Sequence, residues 1–146
     1  MKKYKFRLDT VMRVRQTQED LAKADLAMAN ARVAEAVALV DARLTHYANL
    51  PVAVGGGSTA TFMSNRFRQD AAARAVVAAK AARVAALQDA EAFRITWSKK
   101  AQEVSVLERL DDRRRTEHEI EAARQADLEV DDIVVGRFGR DGDVRL

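Results

Sequence analysis

The chain has 146 residues, the span of one ordinary domain, but 32% of them are charged and only 5% aromatic. Much of the apolar share is alanine, and the strong helix formers Ala, Leu, Glu, Arg, Lys and Gln dominate, a profile of long helices rather than of a globular core. Cysteine is absent, which excludes disulfides and thiolate metal sites; no apolar run of about 18 residues predicts a membrane-spanning helix, and no apolar segment at the start predicts a signal peptide.

The net charge of +3 is small and uneven. Lys2, Lys3, Lys5, Arg7, Arg13 and Arg15 crowd the first turns against Asp9 alone. Such an arm suits a nucleic acid, an acidic membrane surface or an acidic protein rim, or is simply a solvated helix end. A first helix is predicted over about residues 5–49. Its apolar stripe runs Leu8, Val11, Ala22, Leu26, Ala29, Val33, Val37, Val40, Leu44 and Tyr47. At about 100° per residue these positions keep to a narrow band, the seam of a coiled coil. Arg15 and Gln18 interrupt that seam. Either they fix register, or the helices splay and Arg15 reaches an external acidic partner; the adjacent basic arm favours the second. Val14, Leu21 and Met28 form another stripe at heptad spacing, rotated roughly 100° from the first. It reads equally as a docking face or as a broadened core edge.

Pro51-Val52-Ala53-Val54-Gly55-Gly56-Gly57-Ser58 holds the only proline and half the glycines. It predicts a loop over 50–60, because proline ends a helix and glycine permits positive φ. Thr59, Thr61 or Ser64 is expected to cap a second helix over about 61–134, with a disordered tail over 136–146. Val77, Val84 and Leu87 punctuate its alanine-rich first part, and Phe93, Trp97, Ala101, Val104 and Leu107 continue one face, with Leu110 at its edge. The fold class is all-α: a single long two-helix antiparallel coiled-coil hairpin whose second helix is the longer. Symmetric closure of the loop pairs residues whose numbers sum to about 108, so Leu8 is expected near Lys100. Everything past about residue 105 then overhangs. Val104, Leu107 and Leu110 would lack cover from their own chain, with Arg113-Arg114-Arg115 as the polar rim of an interface. Trp97 reads as a seam residue.

Nothing in the pattern suggests catalysis, and no cofactor or metal is expected. His46 and His118 fall at separate points of the hairpin with no Cys to join, and Gly55-Gly56-Gly57 lacks the Lys-Ser/Thr and flanking strand of a phosphate loop. A helical hairpin offers no useful pocket, so the chain reads as a protein-binding, non-enzymatic element.

Tyr4-Lys5-Phe6-Arg7-Leu8 followed by Val11-Met12-Arg13-Val14-Arg15 resembles the opening of the flagellar export protein FliJ family. Ser64-Asn65-Arg66-Phe67 is similar to the start of the second helix in enteric members. Trp97, Lys100, Val104, Leu107, Leu110, Asp112 and Arg113 follow the spacing of the family's C-terminal half, and Val130-Asp131-Asp132-Ile133 resembles its late acidic element. The likeness covers nearly the whole chain, with nothing specific between Ala71 and Ala92. The resemblance implies a cytosolic part of the flagellar type III export apparatus, peripheral to the membrane and similar to the coiled coil of the rotary ATP synthase gamma subunit. It implies three kinds of partner: the hexameric export ATPase FliI, the export gate protein FlhA, and export chaperones. Carried over by position, Phe6, Leu8, Val11, Arg13, Arg15, Val104, Leu107, Leu110 and Arg113 would meet the ATPase ring. Val40, Tyr47 and Val77 would face the gate, where Ala73, Lys80 and Val84 depart from the family's more aromatic or polar residues. The equivalent stalk of a virulence-type injectisome and a nucleic-acid-binding hairpin are the alternatives. The second lacks the interleaved aromatics that base stacking needs.

Overall fold

The computed structural model describes residues 3–52 and 57–141, with side chains through residue 136. Two helices make an all-α hairpin: α1 spans Asp9–Ala48 and α2 spans Thr59–Asp141. No described residue is in a strand. The chain divides into a terminal unit, Met1–Gln16 with Gln102–Leu146, and a loop unit, Thr17–Ala101.

In the loop unit the seam is built from small residues. Ala22, Ala29 and Val40 of α1 and Ala72, Val76, Ala79 and Ala90 of α2 are buried. The expected stripe is there, but alanine occupies its centre. Val37, Leu44 and Tyr47 lie exposed at its edge, since alanines let the helix axes approach until longer side chains are pushed aside. Leu21 and Met28 are exposed, so α2 leaves the second stripe bare. Trp97 is half-buried on the seam, as expected, with its Nε1 buried and lacking an acceptor among the described residues.

Between the helices, the Asn49 and Leu50 amides donate to the carbonyls of Thr45 and Tyr47 before Pro51 stops α1. Ser58, not one of the three expected residues, caps α2: its Oγ accepts from the Thr61 amide at 3.3 Å and its carbonyl from the Phe62 amide at 3.1 Å. The connection does not close symmetrically. Gln69 Nε2 donates to the Pro51 carbonyl at 3.3 Å, so the chain leaving α1 lies beside the third turn of α2. Residues Thr59–Arg68 are consequently almost all exposed. Ala53–Gly56 of the predicted loop lie outside the described residues.

The terminal unit corrects three expectations. α1 begins at Asp9 rather than near residue 5, after a turn in which the Asp9 amide donates to the Phe6 carbonyl. The register differs as well. Tyr4 meets Asp111 and Arg15 meets Glu103, about two to three helical turns from the pairing that set Leu8 beside Lys100. Symmetric closure of the loop was the only basis for the expected pairing, and hydrophobic periodicity does not fix register along a helix pair. Finally, α2 runs through Gly136 to Asp141, past the expected end near 134. A single glycine costs only about 1 kcal/mol in a helix, less than is needed to end one. Residues 142–146 of the expected tail lie outside the described residues.

Candidate functional site

The terminal unit starts with Lys3-Tyr4-Lys5-Phe6-Arg7-Leu8, in which basic and apolar residues strictly alternate. Residues 3–6 are not helical, and a turn at Arg7 and Leu8 leads into α1. Tyr4 and Phe6 are half-buried, whereas Lys3, Lys5 and Arg7 are exposed. None of these three cations lies within ion-pair distance of a carboxylate among the described residues. The segment and α2 line a groove of about 950 Å³, in whose walls the cations Lys3, Lys5 and Arg7 stand with Phe6, Leu8, Leu110, Arg114, His118 and Glu121.

Tyr4 fastens the segment to α2. Its hydroxyl donates to Asp111 Oδ1 at 2.8 Å and lies 3.3 Å from the Asp111 carbonyl oxygen. The ring lies 5.6 Å from that of His118 at a tilt of 57°, and the Arg115 guanidinium carbon is 5.9 Å from its centroid. Arg115 also reaches Asp111 Oδ2 at 3.4 Å. Burial raises the Tyr4 pKa above its ordinary value, and the hydrogen bond to Asp111 together with that carboxylate's charge adds to the rise; Arg115 and Arg114 oppose it.

The predicted contact residues fare unequally. Leu8 and Val11 are exposed, Phe6 half-buried. Val104 is buried at 4% exposure and Leu107 and Leu110 are half-buried, so the overhang with bare apolar side chains does not begin at residue 104. The cause is the register: with Arg15 opposite Glu103, α1 covers this stretch of α2. Arg15 was expected to reach outward; it pairs instead with Glu103 at 2.9 Å. Arg13 pairs with Asp9 at 2.9 Å. The arginine cluster is likewise engaged, Arg113 and Arg114 with Glu117 at 3.1 and 3.0 Å and Arg115 with Asp111. Beyond it Ile120, Leu128, Val130 and Ile133 are exposed.

The predicted gate positions belong to the loop unit. Val40 is buried at 3% exposure and unavailable to a partner, whereas Tyr47 and Val77 are exposed. Sequence reasoning missed the Tyr4–Asp111–His118 cluster. Its signal was the two-residue alternation from Lys3 to Leu8, which was read as the first turn of a helix. Among the described residues no group of His, Cys, Asp and Glu could hold a metal ion, and no helix is long and apolar enough to cross a membrane.

No curated relative and no solved structure matches the chain. The family model described as "FliJ: Flagellar FliJ protein" matches residues 4–143, from the Tyr4 anchor almost to the C-terminus. The chain therefore belongs to the flagellar FliJ family and has a role connected with flagellar export.

Proposed function

We propose that the protein is a non-enzymatic stalk of the flagellar export apparatus, and that its terminal unit engages the hexameric export ATPase. The observation that carries this reading is that Lys3, Lys5 and Arg7, exposed and without carboxylate partners among the described residues, line one groove together with Phe6, Leu8 and Leu110. Unneutralised cations around a partly covered apolar floor are the rim and core that an acidic protein surface fits. Leu107, Leu110, Val11 and Leu8 supply the apolar contact. Val104 supports them from within, and Arg13, Arg15 and Arg113 act through the carboxylates they hold. The loop unit is the side proposed for the export gate, through Tyr47 and Val77, with chaperones as further partners.

The test is stimulation of ATP hydrolysis by the cognate hexamer. Reversing these charges, Lys3→Glu with Lys5→Glu and Arg7→Glu, should abolish stimulation without changing helicity, because all three side chains are exposed. Leu107→Asp with Leu110→Asp should also abolish stimulation. Full stimulation by both variants would refute the proposed surface.

A further inference from the structure

The loop unit has a second coiled-coil seam. Along α2, Met63, Phe67, Asp70, Arg74, Val77 and Ala81 recur at alternating spacings of four and three, and Val84 continues the series. That is heptad spacing, and every one of these positions is exposed. Ala72, Val76 and Ala79, the positions buried in the hairpin, lie roughly 150° round the helix. α1 therefore fills one seam and leaves the other bare, with Met63, Phe67 and Val77 each more than 60% exposed.

The two charged members say what fits there. We propose that this seam pairs antiparallel with the same seam of a second copy of the chain, about a two-fold axis passing beside Ala72. Asp70 then faces the partner's Arg74, and by symmetry Arg74 faces the partner's Asp70. Phe67 meets the partner's Val77, Met63 the partner's Ala81, and Ala60 the partner's Val84. Each layer joins the two alternate heptad positions, as antiparallel packing requires. Parallel pairing in register sets Asp70 against Asp70 and Arg74 against Arg74, which repel. Sliding the antiparallel pair by one heptad faces both charges with apolar side chains. Only one arrangement satisfies both charges, and it is self-complementary. Ala71 and Ala73 flank the axis, where their size lets the backbones approach. Asp70 is already turned along its own helix to Arg66 at 3.6 Å, at an exposed site where such a pair is easily exchanged.

The experiment is sedimentation equilibrium of the full chain over a wide concentration range, with helicity followed by circular dichroism. The wild type should show a monomer–dimer equilibrium. Arg74→Asp should weaken it by about tenfold or more, since two contacts per dimer become repulsive. Asp70→Arg combined with Arg74→Asp should restore it. A monomer at every concentration, a dimer indifferent to Arg74→Asp, or a double variant that stays monomeric at unchanged helicity would each overturn the proposal. Because Val77 is also proposed to face the export gate, the free dimer and the gate-bound chain are alternatives; a chain monomeric at every concentration whose binding to a purified export-gate domain is lost on Val77→Asp would assign the seam to the gate alone and overturn the proposal. ATPase stimulation reads the terminal unit separately and is unaffected by these outcomes.

Discussion

The loop unit buries seven side chains among the described residues, five of them alanine, whereas the terminal unit buries Val104 alone. What the terminal unit has instead is polar: Tyr4 to Asp111 and Arg15 to Glu103. The loop unit is held by close approach of backbones, which tolerates no added volume. The terminal unit is held by a few long side chains reaching across, which depend on charge and protonation. Burial contributes roughly 25 cal/mol per Å², so a seam of alanines stabilises less than a seam of leucines of equal length. This is a hairpin whose stability a bound partner would raise appreciably.

The largest expected effect probes close approach. Ala29, 1% exposed, has no room for a larger side chain; Ala29→Leu should cost about 2 kcal/mol by overpacking. The same change at exposed Ala31 should be nearly neutral. Equal denaturation midpoints for the two variants would show that the alanine seam does not set the helix spacing. Next comes the one buried side chain of the terminal unit. Val104→Ala should cost about 1.5 kcal/mol, read as faster hydrogen exchange over residues 102–115. Unchanged exchange there would mean that polar contacts alone hold that unit.

Smaller still is the Arg15–Glu103 pair, whose side chains are 40% and 44% exposed. A double-mutant cycle of Arg15→Met and Glu103→Gln should give a coupling of about 0.5 kcal/mol, fading with salt. The last effect is local. Tyr4 has its pKa raised in the folded chain, so its contribution to stability is fully present below the ordinary tyrosine value and lost as pH rises through the folded value. In a Tyr47→Phe background, which leaves Tyr4 as the only tyrosine, ultraviolet titration should show a midpoint above that ordinary value. Asp111→Asn should lower the midpoint, and an unshifted one would mean that the hydroxyl is not held by the carboxylate.

Much was legible from local chemistry. Pro51 and the glycines placed the loop, unbroken helix formers on either side gave two helices of unequal length, and the stripe through Ala22, Ala29 and Val40 located the seam. Those features are periodic or depend on one residue's backbone, so neighbours along the chain suffice. Less legible was which apolar stripe members are buried: Val37, Leu44 and Tyr47 sit at the edge of the loop unit's seam because alanine takes its centre.

By itself the sequence determined an all-α hairpin of the FliJ family with its turn near Pro51 and its basic residues at the start. Only the tertiary structure decided the register, set by Gln69 beside the Pro51 carbonyl in the loop unit and by Arg15 beside Glu103 in the terminal unit, neither of which periodicity specifies. The register in turn decided that Val104 is core, that Arg15 is engaged, and that Tyr4 anchors a non-helical segment whose cations are exposed. The hairpin was thus written in local pattern, while the surface it presents followed from which turn of α2 each residue of the N-terminal segment and α1 came to face.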